Sequence, residues 1–355
     1  MAALLLTRKD VDDLLTLDGC IAGVEHAFRL HGEGKVLPPG ILGMHVQNGG
    51  FHIKAGVLEC ARPYFVTKIN ANFPGNPKQT GLPMIQGIIA VSDARDGTLL
   101  ALIDSIEITI IRTGAATAVA AKYLASENAC AVTICGCGNQ GRISLRALMK
   151  VRELKTVYAF DIDEALAHKF GSEFSHELKV VPIKKAELGQ AILRSTIVMT
   201  CTPSKQPFVA AEDISPGTFI AALGADSEEK QELFSDVLVG SKIVADVAQQ
   251  SATIGELHHA IHEKKLTIGS VHAELGAIVA GKKPGRECEN EIIVFDSTGM
   301  ALQDAAAASI VYEKALARQM GTTFSFDESS NNTSNRQPLK NVRHNNVLRS
   351  WFPFR

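Results

Sequence analysis

The alternation of apolar and polar positions divides the chain into two regions of different character. Up to about residue 104 the pattern predicts a strand and a helix within 1–32, a Pro- and Gly-rich loop over 36–50 and a turn-rich segment over 72–82. Short strands are predicted at 51–58, 64–70, 85–92 and 99–104, the last two joined by a hairpin turn at 93–97. This region is typical of an α+β fold with a mostly antiparallel sheet.

Beyond residue 105, helix and strand patterns alternate. A helix over 105–125 has a face of small residues, which allows another element or a cofactor to come close, and an Ala-rich helix is predicted over 301–320. Buried strands are predicted at 131–135, 156–160, 196–201, 218–223, 242–246 and 291–295. The alternation indicates an α/β fold with a Rossmann-type doubly wound sheet.

Two domains and a tail follow from this division. We expect a first domain at 1–118, to which residues 300–320 return, and a dinucleotide-binding domain at 119–299. From 322 to 355, Ser, Asn, Thr and Arg dominate and the periodicity vanishes, so we interpret this segment as a disordered tail.

A glycine turn marks the start of the second domain. Gly136, Gly138 and Gly141 follow the strand at 131–135 and open a helix, with Asn139 and Gln140 between them. Glycines at these places permit a tight turn, a close approach of the backbone to a pyrophosphate and close packing of helix on strand. Asp161 ends the next strand, where it suits the ribose hydroxyls and repels a 2′-phosphate. The motif predicts NAD as cofactor.

Composition excludes several classes of function. The chain has 355 residues, 46% hydrophobic and 21% charged, with a net charge of -2, so we expect neither a nucleic-acid partner nor a membrane partner. No apolar run is long enough to span a bilayer, and the N-terminal charges follow the first apolar run, whereas in a signal peptide they precede it. Seven cysteines without CxxC spacing favour free thiols in a cytoplasmic location.

Three histidines, His258, His259 and His262, lie on about one face of a predicted helix. They have no cysteine neighbour in the sequence that would complete a metal site. We interpret them as a solvated helix face and predict no metal.

Charged residues in apolar surroundings are the candidates for chemistry. Lys68 lies in a strand, Arg112 in the small-residue helix, and Asp226 after a buried strand, with Lys230 one helical turn later. The strand ends at 200–204 and 223–226 belong to the edge of the sheet where ligands bind in such folds. Each candidate also has an ordinary structural explanation, because lysines in strands are usually solvated and arginines in helices usually snorkel.

Several stretches carry a resemblance to a known family. They run from Arg112 to Ala118, from Gly136 to Gly141, from Gly224 to Asp226 with 230–233, and over 293–299 with 301–304. Over residues 1 to about 320 the chain resembles the ornithine cyclodeaminase/μ-crystallin family. The resemblance implies a homodimer whose first domain binds substrate and dimerises, while the second binds the cofactor. It also implies hydride transfer between nicotinamide and the α-carbon of an amino or imino acid.

The resemblance also implies roles for individual residues. Lys68 would contact the substrate near its carboxylate, Arg112 would clamp that carboxylate, and Asp226 would be the general acid or base. We expect partial desolvation to raise the pKa of Asp226. Thr202, Lys230 and Ser297 would complete the cofactor site.

Two departures from the family pattern bear on the substrate. Pro38-Pro39 is not followed by the arginine that members binding ornithine or alanine typically show, and 52–56 lacks the glutamate that receives the distal amino group of ornithine. Lys54 stands there instead, either to bind an anionic group or as an exposed strand residue. We therefore predict an imine reductase or amino-acid dehydrogenase for a substrate such as iminosuccinate or alanine. An ornithine cyclodeaminase and a non-catalytic binding protein are the alternatives.

Overall fold

A computed structural model describes residues 2–60 and 62–326, which fold around two β-sheets. The elements of the first region are β1 (Ala2–Leu6), α1 (Arg8–Leu14), α2 (Leu17–Glu33), β2 (Gly40–Val46), β3 (Gly49–Leu58), β4 (Tyr64–Asn72), α3 (Asn76–Gln79), β5 (Ile85–Asp93), β6 (Leu99–Asp104) and α4 (Ser105–Leu124). Strands β2 to β6 form an antiparallel meander, and β1 joins β6 in parallel.

Two sequence predictions for the ends of this sheet are wrong. The segment 36–50, predicted as a loop, contains β2, an edge strand whose seven residues are all exposed. Because an edge strand buries neither face deeply, its sequence lacks a strong alternating pattern. The predicted tail begins too early, since β15 (Thr322–Ser325) pairs antiparallel with β1. The remainder of that prediction, from residue 327, lies outside the described residues.

The second sheet is built from alternating strands and helices. Its elements are β7 (Ala131–Cys135), α5 (Asn139–Leu148), β8 (Thr156–Phe160), α6 (Glu164–Phe174), β9 (Lys179–Ile183), α7 (Leu188–Leu193), β10 (Ile197–Thr200), β11 (Phe219–Ala222), α8 (Ser235–Val239), β12 (Lys242–Ala245), α9 (Ala248–Ile254), α10 (Glu256–His262), β13 (Val271–Glu274), α11 (Leu275–Val279), β14 (Ile293–Asp296) and α12 (Ala301–Arg318). The order is β13-β12-β14-β11-β10-β7-β8-β9, with parallel pairings. The predicted doubly wound sheet beside an α+β region is therefore confirmed.

Two long helices connect the sheets. The small-residue face of α4 receives α5, because an added Cβ on Gly114 would lie 2.9 Å from the Ile143 side chain. Helix α12 leaves the carboxyl edge of the second sheet and packs on β3, β4 and α2. A Cβ on Gly56 of β3 would lie 3.2 Å from Leu302, so the start of α12 lies directly over the inner face of the first sheet. No helix within the described ranges has the length and apolarity needed to cross a membrane.

Candidate active site

Two buried lysines face each other across β3 and β4. Lys54 and Lys68 are directly paired in the antiparallel register, and they are 8% and 3% exposed. Like charges opposite each other destabilise a sheet, and burying them adds a desolvation cost. Such a pair needs nearby anions or hydrogen-bond acceptors, and α12 and the loop before it supply both.

Asp304, 1% exposed in the first turns of α12, lies between two of the cations. Its carboxylate is 2.7 Å from Lys68 Nζ and 3.1 Å from Arg112 Nε. Burial alone would raise the pKa of Asp304, but Lys68 and Arg112 outweigh burial and hold it below its usual value. Arg112 Nη1 also donates to Gln303 Oε1 at 2.8 Å, which fixes the plane of the guanidinium.

Lys54 is held by backbone carbonyls instead of a carboxylate. Its Nζ donates to the carbonyl oxygens of Thr298 at 2.8 Å and Gly299 at 2.7 Å. Gly299 has φ +82°, and an added Cβ would lie 2.9 Å from Arg112 Nη1 and 3.2 Å from Lys54 Nζ. Lys54 is therefore not an exposed strand residue. Burial and the charge of Arg112 lower its pKa, although Asp304 and Asp226 oppose them.

The buried amine of Lys68 also has a lowered pKa. Burial lowers its pKa to about 7, because the charges of Arg112 and Lys54 add to desolvation and Asp304 compensates only in part. Lys68 and Arg112 thus share the carboxylate of Asp304, while Lys54, opposite Lys68, is held by carbonyl oxygens, a charge balance that favours an additional anion. Lys54, Lys68 and Arg112, predicted as substrate-binding residues, are brought together by the fold.

Asp226 approaches this cluster from the second sheet, after β11. Its side chain is 50% exposed and accepts a hydrogen bond from Lys230 at 2.5 Å. The expectation of a raised pKa is wrong: burial does raise it, but Lys230, Lys54 and His52 hold the pKa of Asp226 below its usual value. Residues 226–230 form a turn and not the expected helical turn, and Lys230 binds Asp226.

The glycine turn has the geometry that a dinucleotide requires. Gly136 has φ +106°, and an added Cβ on Gly141 would lie 2.1 Å from the Gly136 carbonyl oxygen. At Gly138 a Cβ would meet no protein atom within 4 Å, so packing does not explain that glycine. Gly138 precedes α5, whose first turn contains Asn139 and Gln140 and offers free backbone N–H groups. A phosphate that approaches this backbone closely explains Gly138, while the turn itself explains Gly136 and close packing explains Gly141.

Asp161 reaches the same turn from the end of β8. Its carboxylate accepts hydrogen bonds from the Cys137 N–H at 2.8 Å and the Asp163 N–H at 3.0 Å. The acid predicted to select the ribose therefore lies beside the predicted phosphate loop.

The other predicted cofactor residues are held by buried acids. Thr202 donates its N–H and hydroxyl to Glu232 at 2.6 and 2.7 Å, and the Ser297 hydroxyl donates to Asp246 at 3.3 Å. These two residues follow β10 and β14, neighbours of β11 on its two sides. Thr202, Ser297 and Asp226 therefore belong to three adjacent strand ends.

The histidines of α10 have structural contacts. His259 Nε2 lies 2.7 Å from the Lys230 carbonyl oxygen. In the part of the chain that the structure describes, no group of three or more His, Cys, Asp or Glu side chains is arranged to hold a metal ion.

Comparison with known proteins agrees with this geometry. A sequence model of the ornithine cyclodeaminase/mu-crystallin family matches residues 1–319. The chain belongs to this family. The family prediction made from the sequence is therefore confirmed.

Similar members of the family are dehydrogenases and reductases. Alanine dehydrogenase of Archaeoglobus fulgidus is 37% identical over 92% of this chain and 99% of the relative. A solved archaeal alanine dehydrogenase dimer with bound NAD superposes with a TM-score of 0.88 at 36% identity, over 92% of this chain and all of that one.

Two further solved members of the family act on imines. The Δ1-pyrroline-2-carboxylate reductase of Thermococcus litoralis, in complex with NADH and L-proline, has a TM-score of 0.82 and 33% identity over 90% of this chain and 99% of that one. The iminosuccinate reductase of Paracoccus denitrificans, in complex with NAD⁺, has a TM-score of 0.82 and 28% identity over 92% of this chain and 100% of that one.

In this family member, sequence reasoning missed the acids of the site. Asp304 stands alone in the Ala-rich run 301–308, and an isolated charge in an otherwise apolar helix was the available signal. Asp246 follows a buried strand, and Glu232 lies in the same loop as Asp226, but nothing in the sequence distinguishes an acid that faces a ligand from one that binds backbone.

Proposed function

We propose that this protein is an NAD-dependent oxidoreductase that transfers hydride between nicotinamide and the α-carbon of an amino or imino acid. The observation that carries the proposal is the buried cluster of Lys54, Lys68 and Arg112, in which Lys68 and Arg112 share the carboxylate of Asp304 and Lys54 is held by the Gly299 carbonyl. The cluster retains positive charge that can bind a substrate carboxylate. It lies next to the carboxyl ends of the strands of the second sheet, the sheet that contains the glycine turn. The related dehydrogenases and reductases support the same reaction class.

NAD is the cofactor that the relatives support. The three solved relatives described above contain NAD or NADH, which confirms the prediction made from the glycine turn and Asp161. When bound, the cofactor accepts or supplies the hydride. Ile162, next to Asp161, is 94% exposed, and we propose that its side chain packs against the adenine, since a fully exposed isoleucine has no structural use in the chain itself.

Each charged residue then has a distinct role in the proposed reaction. Arg112 and Lys68 hold the α-carboxylate, and the fixed guanidinium orients it. Asp226, ionised beside Lys230, stabilises the positive charge of the protonated imine and takes the amine proton in the oxidative direction. Lys54, tied to two carbonyls, contributes positive charge from a fixed position.

A substrate screen tests the proposal. The protein is incubated with NADH and ammonia plus pyruvate, oxaloacetate or glyoxylate, and separately with Δ1-pyrroline-2-carboxylate and no ammonia, while NADH absorbance is followed. We expect NADH consumption with at least one compound. No consumption with any of them would contradict the proposal. An ornithine and NAD reaction that yields proline without net NADH would establish the cyclodeaminase alternative.

The first prediction concerns the choice of dinucleotide. Asp161→Ala removes the carboxylate that repels a 2′-phosphate, so the ratio of NADPH to NADH affinity should rise by roughly tenfold or more, as expected for the loss of one charged contact. The two dissociation constants are measured by nicotinamide fluorescence.

Asp163→Asn is the control for this variant. It alters the acid two residues later, which caps α6 through the Ala165 N–H. The same ratio in parent and Asp161→Ala would contradict the assignment of Asp161.

The second prediction concerns pH. The Lys68 ammonium is lost as pH rises through about 7, so the dissociation constant of the keto acid selected by the screen should increase above that pH, by up to about tenfold per unit. Keto acids themselves do not titrate between pH 6 and 9, so a pH dependence of their binding with NAD present comes from the protein.

Lys68→Arg provides the comparison, because a guanidinium stays charged over this whole range. The pH dependence should be flat in that variant. A flat dependence in the parent would show that Lys68 does not hold the carboxylate as an ammonium.

We also propose a homodimer formed through the outer face of the first sheet. Leu42, Ile53, Ile69 and Ile88 occupy one continuous row across β2, β3, β4 and β5, on the face opposite Lys68. Three of the four are more than a third exposed, which is unusual for a contiguous aliphatic row. The solved archaeal alanine dehydrogenase is a dimer, which supports a second copy as the partner.

The third prediction tests that surface. Ile69→Asp places a charge in the centre of the row and should convert a dimer to a monomer in light scattering after size exclusion. Val239→Asp, at a similarly exposed aliphatic residue of α8, is the control and should leave the mass unchanged. A parent that is already monomeric would contradict the homodimer.

We propose a cytoplasmic location as well. All seven cysteines are free thiols, which supports a reducing compartment.

A further inference from the structure

Four buried acids lie beneath the strand ends that line the candidate site. They are Glu232, Asp246, Glu256 and Asp296, each at most 1% exposed. No salt bridge to a lysine, arginine or histidine is found for any of them within the described ranges. They accept hydrogen bonds from backbone N–H groups and hydroxyls, and these donors lie in the loops after the strands and at the start of α10.

The acids link one loop to the next. Asp246, after β12, accepts from the Gly299 N–H at 2.6 Å and from the hydroxyl of Thr298 at 3.0 Å. Asp296, at the end of β14, accepts from the N–H groups of Glu256 at 3.2 Å and Leu257 at 3.0 Å, at the start of α10.

The linkage continues from α10 to the next two strand ends. Glu256 accepts from the N–H groups of Glu232 at 2.8 Å and Leu233 at 3.1 Å. Glu232 then accepts from Thr202, after β10, and from the Gly224 N–H at 2.9 Å, after β11. The four acids therefore connect the ends of four adjacent strands, β12, β14, β11 and β10.

Glu232 is the member closest to the proposed chemistry. Its two oxygens join the loop of Thr202 to the loop that contains Asp226 two residues after Gly224. Gly224 has no Cβ, and an added one would lie 2.3 Å from Glu232 Oε2, so the glycine makes room for this carboxylate. Burial raises the pKa of Glu232, while the hydrogen bonds from Thr202 and Gly224 oppose that change.

We propose that Glu232 is a positioning residue that sets the separation between Asp226 and the loop of Thr202, and that Glu256, whose own backbone N–H is held by Asp296, fixes the backbone of Glu232. This inference rests on the proposed function for the identity of the reaction. The linkage of the Thr202 and Gly224 loops through Glu232 does not depend on that function. A carboxylate serves here because it offers acceptors on both oxygens, and the donors come from two different loops. A glutamine offers one oxygen, and its amide group would face an N–H group in one of the loops.

Glu232→Gln is the test, with Glu291→Gln as its matched control. Glu291 lies at the opposite edge of the same sheet and also accepts two backbone hydrogen bonds, from Glu287 and Cys288. With the substrate found in the screen, Glu232→Gln should lower kcat by roughly 10- to 100-fold with little change in KM, as expected for a misplacement of about 1 Å. The control should keep the parent kcat.

Hydrogen–deuterium exchange supplies a readout that does not need turnover. In Glu232→Gln, peptides covering 200–204 and 222–226 should exchange faster while the remainder of the sheet keeps its protection. If the parent reduces no substrate, the proposed function fails, yet faster exchange confined to these two peptides would still establish the linkage. Unchanged exchange, a kcat equal to that of the parent, or loss of protection throughout the sheet would each overturn the inference.

Thr202→Val is a milder variant in case Glu232→Gln does not fold. It removes the hydroxyl that donates to Glu232 and keeps the backbone N–H. It should lower kcat by several-fold and speed exchange in the 200–204 peptide. Parent behaviour in both measurements would also overturn the inference.

Discussion

Asp226→Asn is expected to lower kcat by about 10²- to 10⁴-fold, the range typical for removal of a positioned proton-transfer group. Asparagine keeps the size of the side chain but carries no charge, so it neither stabilises a protonated imine nor accepts a proton. Because Asp226 is ionised beside Lys230, the parent should be active well below neutral pH in the oxidative direction. Steady-state kinetics with the substrate from the screen measure the loss, and NADH fluorescence measures cofactor affinity.

The control for this variant is Asp236→Asn. Asp236 is also a largely exposed aspartate paired with a lysine, Lys265, at 3.0 Å, but it lies on α8 away from the strand ends. Cofactor affinity should be retained in both variants, and turnover should be lost only in Asp226→Asn. Turnover close to that of the parent would refute the catalytic assignment of Asp226.

Asp304→Asn is expected to have the second largest effect, because it leaves Lys68 and Arg112 buried without their anion. Removing one partner from a buried ion pair costs about 3–5 kcal/mol of unfolding free energy when the other charge persists. The pKa of Lys68 is already about 7, so the loss of Asp304 should leave Lys68 neutral at neutral pH. Because neutral Lys68 is then no unpaired buried charge, the variant loses less stability than that range. It loses instead the ammonium that binds the substrate carboxylate.

Two measurements separate these consequences. Denaturant unfolding should show a destabilisation, and the KM for the keto acid should rise by roughly 100-fold, in line with a lost charged contact. Lowering the pH should bring the KM of the variant part of the way back down, because it returns the proton to Lys68. Asp93→Asn, which breaks the Asp93–Arg62 pair at the far end of β5, should destabilise without changing KM. Failure of low pH to improve KM would show that Asp304 has only a structural role.

The fold was largely predictable because its signals are local. Buried strands such as Ala131–Cys135 and Thr156–Phe160 are mostly apolar, and the predicted bounds agree with the structure. Two strands of the second sheet were not predicted, β9 and β13. Lys179–Ile183 contains a proline and Val271–Glu274 contains a histidine and a glutamate, so neither shows a strand pattern. Both are the outermost strands of the sheet, where the need to bury apolar side chains constrains the sequence least.

The site was predictable only in part, because it depends on contacts between distant segments. The sequence indicated Lys68 and Arg112 as candidates because they are charges in apolar surroundings. Their common partner, Asp304, lies about 190 or more residues away. The pKa of Asp226 was misjudged although Lys230, the main group that lowers it, lies only four residues away, because the sequence does not show that the two side chains pair. The further groups that lower it, Lys54 and His52, come from β3 on the other sheet, and no local pattern links them to Asp226.

Gly299 limits how this chain can diversify. Its backbone has φ +82°, its carbonyl holds Lys54, its N–H is held by Asp246, and the space a Cβ would need is taken by Arg112 and Lys54. Every possible mutation there adds a side chain where neither the backbone conformation nor the cations leave room. A descendant of this protein that acquires a new substrate would therefore keep this glycine and change elsewhere. His52, which is only partly buried and lies two residues before Lys54 on β3, is a more permissive place for such change.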